Sequence, residues 1–125
     1  MENLQGKKAI ITGGSRGLGK ATALAFAKLG IDVAITGRDE TRLKETAEEL
    51  RALGVKATYA SFDVGNHQEV KTAIQQLVQD FGGVDILVNN AGIAAFGKFL
   101  EMEAEQWAKM MQTNVMGMYY VTREV

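Results

Sequence analysis

Cysteine and proline are absent from this 125-residue chain, and histidine and tryptophan each occur only once. Without cysteine there can be no disulfide bond and no thiol nucleophile, which agrees with a reducing compartment. A basic excess is also lacking, since 14 lysines and arginines stand against 15 acidic residues and give a net charge of −1. The basic residues are scattered along the chain, so we expect no nucleic-acid partner.

Long apolar runs are missing as well. No segment approaches the roughly 18 apolar residues that cross a bilayer, and Met1–Lys8 has no apolar core typical of a signal peptide. These absences predict a cytoplasmic protein with no membrane partner. The composition, 46% hydrophobic and 23% charged, is that of an ordinary globular chain, and residues 1–125 are expected to form a single domain.

Short runs rich in β-forming residues alternate with longer stretches of helical period. This alternation predicts an α/β fold in which crossover helices wrap a parallel sheet. The predicted strands are Lys8–Thr12, Asp32–Thr36, Lys56–Phe62 and Val84–Asn89. Helices are predicted over Gly17–Leu29, Asp39–Leu53, Asn66–Phe81, Glu103–Gln112 and Thr113–Val125. Asp39 and Asn66 are suitable N-cap residues.

Apolar periodicity predicts which side of a helix faces the sheet. In the first helix these positions are Leu18, Ala21, Ala25, Phe26 and Leu29. In the third they are Val70, Ala73, Ile74, Leu77, Val78 and Phe81. The single histidine, His67, is expected at the surface, and no grouping of acidic residues resembles a metal site.

The most informative segment is Thr12–Gly19, which reads T-G-G-S-R-G-L-G and directly follows the apolar run Ala9–Ile11. A strand that turns through glycines into a helix directs backbone N–H groups and the positive end of the helix dipole at one place, where a pyrophosphate fits. Gly13 suits the tight turn, Gly17 a close approach of the ligand, and Gly19 close packing of helix on strand. The alternative is a glycine-rich turn that binds nothing.

The same segment also contains the string G-x-S-x-G, at Gly13–Gly17, which marks the nucleophile turn of some serine hydrolases. Such an enzyme needs a histidine as partner of the serine. His67 is the single histidine, and its spacing from Ser15 does not make it a plausible partner. A hydrolase is therefore the weakest of the alternatives.

The end of the second strand carries the side chains that would meet the adenosine ribose of a dinucleotide. An acidic residue there accepts hydrogen bonds from the ribose of NAD, whereas an arginine pairs with the 2′-phosphate of NADP. Arg38 therefore favours NADP(H), and Arg16 can reach the same phosphate. Asp39 on the ribose is the alternative, although this residue is better explained as a helix cap.

Two further strand ends carry candidate contacts. Asp63 and Val64, after the third strand, could flank an adenine ring between a polar acceptor and an apolar wall. Asn89–Gly92, which reads N-N-A-G after the fourth strand, has two amides and a glycine that could fix the backbone beside a ribose. A plain strand-to-helix turn is an equal alternative for Asp63 and Val64. Asn89–Gly92 is more specific, although a structural turn alone could also explain it.

Together these segments resemble the short-chain dehydrogenase/reductase family. Thr12–Gly19 matches its glycine motif, Asp63 its adenine-contacting aspartate, Asn89–Gly92 its N-N-A-G motif and Asn114 its active-site asparagine. The resemblance implies a Rossmann-type sheet with strand order 3-2-1-4 and hydride transfer between NADP(H) and a carbonyl or alcohol carbon. The chain looks most like the NADP-dependent members, such as reductases of 3-oxoacyl-acyl-carrier-protein, so the implied substrate is a small-molecule or acyl-carrier-bound carbonyl.

The resemblance also implies a role for each candidate residue. The pyrophosphate and its ribose are expected at Gly13, Gly14, Ser15, Gly17, Leu18 and Gly19, and the 2′-phosphate at Arg16 and Arg38. Adenine is expected at Asp63 and Val64, the nicotinamide ribose at Asn90 and Gly92, and support of the catalytic proton relay at Asn114.

The family's catalytic serine and its Tyr-x-x-x-Lys pair have no counterpart in these 125 residues. Tyr119 and Tyr120 are followed four residues later by Arg123 and Glu124, so we interpret them as packing residues. We expect an amino-terminal half of a reductase that is inactive alone. The competing hypothesis is a non-catalytic module that binds nucleotide or only assembles with itself.

Self-association is the remaining expectation. The predicted fourth strand has an apolar open edge, which favours pairing with another chain. Methionines also cluster toward the end of the sequence, at Met110, Met111, Met116 and Met118. A homo-oligomer is therefore predicted, with simple core filling as the alternative for the methionines.

Overall fold

The computed structural model describes residues 4–90, 104–105 and 116–125. The elements are β1 (Lys8–Thr12), α1 (Gly17–Lys28), β2 (Asp32–Gly37), α2 (Glu40–Ala52), β3 (Ala57–Ser61), α3 (His67–Phe81), β4 (Ile86–Val88) and α4 (Gly117–Glu124). The predicted helix over Glu103–Gln112 lies largely outside the described residues, as do Met110 and Met111. All four predicted strands and the first three predicted helices are present.

The four strands form one parallel sheet in the order β3-β2-β1-β4. In the β1–β2 pair, Lys8 lies opposite Asp32 and Thr12 opposite Thr36. Because every strand runs in the same direction, all the strand-to-helix turns lie at one edge of the sheet, which we call the carboxyl edge. The predicted Rossmann-type order 3-2-1-4 is confirmed.

The two central strands are buried on both faces because helices cover both. Ile10 and Ala34 face the side of α3 and α4, whereas Ile11, Val33 and Ile35 face the side of α1 and α2. All five side chains are fully buried. Continuous apolar runs of this kind are typical of parallel strands.

Strand β4 is shorter than predicted, Ile86–Val88 instead of Val84–Asn89. Asp85 explains why the strand begins two residues later than predicted. Its backbone N–H donates to the Lys8 carbonyl at 2.8 Å, while its carboxylate accepts from the Lys8 N–H at 2.9 Å. A side-chain oxygen thus takes a hydrogen bond that a neighbouring strand carbonyl would otherwise accept.

The predicted inner face of α1 is wrong except for Phe26, which is partly buried against the core. The buried residues are Gly19, Ala23 and Ala27, whereas Leu18 is 76% exposed and Leu29 58%. The helix lies so close to the β1 turn that a Cβ on Gly19 would collide with the Gly13 carbonyl. Only small side chains fit along this contact, which is why the periodicity of the larger residues misplaced the face.

The inner face of α3 is as predicted, with Val70, Ile74 and Leu77 buried. His67 lies at the surface as predicted, with its side chain 45% exposed, and it also has partners on α4. Its ring stacks on Tyr120 with a centroid distance of 4.6 Å, and its Nε2 lies 3.7 Å from Glu124 Oε1. Tyr120 is thus a packing residue, whereas Tyr119 is 52% exposed.

Candidate functional site

The glycine turn between β1 and α1 lies at the carboxyl edge and is attached to β2. Gly13 has φ +69°, a conformation that favours glycine. The N–H groups of Gly13 and Gly14 donate to the Thr36 carbonyl at 2.9 and 3.1 Å. Both residues were expected to bind pyrophosphate, but in this structure their amides hold the turn against β2. Donors for an anion must therefore come from later in the turn.

Two glycines of the turn are required by close packing. A Cβ on Gly14 would lie 2.5 Å from Cγ2 of Ile35, and one on Gly19 would collide with the Gly13 carbonyl and the Asn90 side-chain amide. Gly17 is different, because it has φ +58° and a Cβ there would meet nothing within 4 Å. The structure thus supports the role predicted for Gly19, and it leaves open space in front of Gly17.

Helix α1 begins without a side-chain cap. Arg16 occupies the N-cap position in an extended conformation, its side chain makes no capping hydrogen bond, and the first turn contains no acidic residue. The N-cap of α2 is Asp39, which accepts from Arg42 N–H at 3.1 Å, and that of α3 is Asn66, which accepts from Glu69 N–H at 3.1 Å. The predicted caps of α2 and α3 are confirmed. Of the three helices α1, α2 and α3, α1 is the one whose first N–H groups have no side-chain acceptor, which suits an anionic ligand.

Asn90 connects the end of β4 to the glycine turn. Its backbone N–H donates to Thr12 Oγ1 at 2.9 Å, and its side-chain Nδ2 donates to the Gly13 carbonyl at 3.1 Å. Thr12 Oγ1 in turn donates to the Val88 carbonyl at 3.4 Å. The structure thus gives Asn90 the backbone-fixing role that was predicted for this segment, and it identifies the glycine turn as the backbone that Asn90 holds. Gly92 and Asn114 lie outside the described residues.

The tip of β2 is held by β3. The Ser61 hydroxyl donates to the Arg38 carbonyl at 3.0 Å, and Arg38 Nη2 lies 2.9 Å from Asp63 Oδ2. Asp39 uses one carboxylate oxygen as the α2 cap and has the other 3.4 Å from Arg42 Nε. The structure therefore favours the cap over the ribose contact for Asp39. The Arg38–Asp63 ion pair was not predicted, although the opposite charges at the ends of two adjacent predicted strands indicate it.

Asp63 and Val64 occupy different environments. Asp63 is partly exposed, and its Oδ1 accepts from the Gly65 N–H at 2.9 Å, which stabilises the turn into α3. Val64 is only 7% exposed and lies under α4, where a Cβ on Gly117 would be 2.8 Å from the Val64 carbonyl oxygen. Asp63 therefore remains accessible to a ligand, whereas Val64 supports the site from behind.

The site as a whole combines an uncapped helix N-terminus, a glycine turn and an arginine at the carboxyl edge of a parallel sheet. The strand order reverses direction between β1 and β4, and open α/β sheets bind ligands at such switch points. Within residues 4–90, 104–105 and 116–125 there is no cluster of three histidine or carboxylate groups that could hold a metal. None of the helices in this part of the chain is long and apolar enough to cross a bilayer.

These features define a Rossmann-type α/β unit. The sequence pattern of the short chain dehydrogenase family matches residues 7–125, and the chain belongs to that family. It is 38% identical over 122 residues to a 3-oxoacyl-acyl-carrier-protein reductase of Chlamydia pneumoniae, covering 98% of this chain and 49% of that protein.

Solved structures agree with this assignment. A short chain dehydrogenase from Burkholderia cenocepacia J2315 in complex with NADP superposes with a TM-score of 0.92 at 35% identity, covering 98% of this chain and 51% of that one. An NAD⁺-bound xylitol dehydrogenase gives a TM-score of 0.94 at 30% identity, covering 99% and 48%. The chain spans about half the length of the curated relatives it matches.

Proposed function

We propose that this chain supplies the NADP(H)-binding part of a short-chain reductase that converts a carbonyl, such as a 3-oxoacyl thioester, to a hydroxyl. The observation that carries the proposal is the N-terminus of α1, which meets the glycine turn with no side-chain cap and no acidic residue. Backbone N–H groups and the helix dipole at such an end stabilise a pyrophosphate. Membership in the family supplies the nicotinamide chemistry.

The remaining cofactor contacts follow from the same edge of the sheet. The proposed pyrophosphate and ribose contacts are Gly13, Gly14, Ser15, Gly17, Leu18 and Gly19, the first two acting through the shape of the turn. Arg16 and Arg38 hold the 2′-phosphate, since both are exposed and an arginine suits a phosphate geometrically. Asp63 and Val64 border the adenine, and Asn90 with Gly92 borders the nicotinamide ribose.

The preference for the phosphorylated cofactor depends mainly on Arg38. Asp39, the acidic residue at the same tip, already accepts a hydrogen bond from the Arg42 N–H at the start of α2 and lies 3.4 Å from Arg42 Nε. The relatives are consistent with either cofactor, because one solved structure contains NADP and another NAD⁺. The proposal of NADP(H) therefore rests on Arg38 and not on the cofactors that the related structures contain.

The bound cofactor would supply a hydride to the carbonyl carbon. The family's reaction also needs a proton donor at the substrate oxygen, and no tyrosine in these 125 residues is followed by lysine four positions later. Asn114 would support the proton relay but cannot replace that donor. We therefore propose that the 125-residue chain alone binds cofactor without turnover.

Titration of the chain with NADPH and NADH, followed by cofactor fluorescence, tests the proposal. NADPH is expected to bind at least about tenfold more tightly than NADH, since a charged hydrogen bond contributes about 1.5–3 kcal/mol. R38Q should remove most of this preference. The matched control R42Q removes the same charge four residues further along the chain and should retain the preference for NADPH.

Equal affinities for the two cofactors would contradict the NADP(H) assignment. If neither cofactor binds, the second candidate function, a non-catalytic module, is favoured. The absence of a Tyr-x-x-x-Lys pair from these 125 residues also supports that candidate. NADPH-dependent reduction of a 3-oxoacyl thioester by the pure chain would contradict its proposed inactivity.

We also propose that the chain self-associates. Helix α4 exposes apolar side chains, with Met118 48% and Tyr119 52% accessible, and Val125 just beyond it is 43% accessible. Strand β4 has β1 on one side and no second neighbour among the described strands. Sedimentation at increasing concentration is expected to show a dimer or larger species. A monomer over the whole range would contradict this.

A further inference from the structure

The ion pair between Arg38 and Asp63 uses the guanidinium that is proposed to bind the 2′-phosphate. Arg38 Nη2 and Asp63 Oδ2 are 2.9 Å apart, and the side chains are 53% and 40% exposed. Hydrogen bonds hold both partners in place. The Ser61 hydroxyl donates to the Arg38 carbonyl, and the Asp63 carboxylate accepts from the Gly65 N–H. The pair thus bridges the ends of two neighbouring strands at the carboxyl edge.

We propose that Asp63 sets the strength of the preference for NADP(H) over NAD(H), by competing with the 2′-phosphate for Arg38. This inference rests on the proposed function. A phosphate monoester carries nearly two negative charges near pH 7 and a carboxylate only one, so the phosphate displaces Asp63 from the guanidinium. The unphosphorylated cofactor has no group that does so and leaves the pair intact.

The exposure of the pair makes this competition effective. An ion pair that is half exposed is weak, and it exchanges readily with a stronger anionic partner. Its carboxylate also lowers the positive potential that a phosphate meets at this edge. Asp63 therefore reduces the selectivity that Arg38 alone would give, and it does so only toward the cofactor that carries the extra phosphate.

The test is the ratio of NADPH to NADH affinities in D63N. Asparagine keeps an oxygen for the Gly65 N–H and removes the charge, so the turn into α3 is retained. Any contact between position 63 and adenine affects both cofactors alike and cancels in the ratio. The preference for NADPH is expected to rise about threefold to fivefold, the size of an exposed charge pair.

Two further variants isolate the cause. D85N removes a carboxylate at the opposite end of the sheet, where Asp85 accepts from Lys8 N–H, and should leave the ratio unchanged. In the R38Q background D63N should change the ratio much less than in the unmodified chain, because the competition acts through Arg38. A full effect of D63N without Arg38 would overturn the proposed competition.

The outcomes separate the two proposals. If the unmodified chain prefers NADPH and D63N leaves or lowers that preference, the role of Asp63 is overturned and the proposed cofactor stands. If the unmodified chain binds neither cofactor, or both equally, the proposed function fails and this inference fails with it. A rise in D63N that depends on Arg38 supports both.

Discussion

Helix α1 begins differently from α2 and α3, although all three follow a strand at the same edge of the sheet. Asp39 and Asn66 cap the two later helices with side-chain oxygens, and each is followed by an acidic residue in the first turn. The position before α1 carries Arg16, which caps nothing. A carboxylate or amide at a helix N-terminus satisfies N–H groups that a ligand would otherwise bind. Helices α2 and α3 thus satisfy an N–H group of their first turn with a nearby side chain, whereas the first turn of α1 has no such acceptor.

The turns that lead into these helices also differ in the contacts that fix them. Before α1 the chain passes through glycines that pack against β2 and β4, so that the turn is fixed by distant parts of the chain. The turns before α2 and α3 have side-chain acceptors from residues close in sequence, although the turn before α2 is in addition held to β3 through Arg38. The conformation of the turn before α1 should therefore depend more on tertiary packing than the turns before α2 and α3 do.

The largest effect is expected for G19A. The new Cβ collides with the Gly13 carbonyl and the Asn90 amide, so helix and turn must separate. We expect the free energy of unfolding to fall by about 2–4 kcal/mol, measured by urea denaturation. The control is G17A, which meets only the strain of φ +58° and should cost about 1–2 kcal/mol. Equal costs for the two variants would show that the turn is not held by packing.

The caps should have an intermediate effect. D39A and N66A each remove an acceptor from a helix N-terminus and should lower the free energy of unfolding by about 1 kcal/mol. R16A removes no acceptor and should stay within about 0.5 kcal/mol of the unmodified chain. Thermal or urea unfolding of the three variants gives the comparison directly. A loss in R16A as large as in N66A would mean that α1 is capped after all.

The smallest change in stability, and the most informative, is expected for R16D. An aspartate at this position can cap α1 and place a negative charge at its positive end, which should stabilise the free chain by about 0.5 kcal/mol. The same carboxylate competes with a pyrophosphate, so affinity for both NADPH and NADH should fall. R16Q is the matched control that removes the positive charge without adding a carboxylate. Undiminished NADH binding in R16D would contradict the role of the α1 N-terminus.

Several features of the fold could be predicted because they depend on residues close in sequence. The β1 boundaries, the caps Asp39 and Asn66 and the inner face of α3 follow from strand composition, capping chemistry and a regular apolar period. The strand order was predicted by family resemblance rather than from any single segment, and it is confirmed.

Other features depend on contacts between distant residues, and these were missed or misjudged. The inner face of α1 was assigned to Leu18, Ala21, Ala25, Phe26 and Leu29. The fully buried residues are instead Gly19, Ala23 and Ala27, because the helix approaches the turn so closely at Gly19 that no side chain fits there. The stack of His67 on Tyr120 joins α3 to α4, and no local pattern indicates it.

The sequence by itself determined where strands and helices form and which segment resembles a phosphate-binding turn, because propensity, capping and glycine spacing act over a few residues. The tertiary structure decided how that turn is used. It directed the Gly13 and Gly14 amides to Thr36, tied Asn90 to the turn and paired Arg38 with Asp63. Each of these contacts depends on the lateral order of parallel strands, which brings together groups that are far apart along the chain.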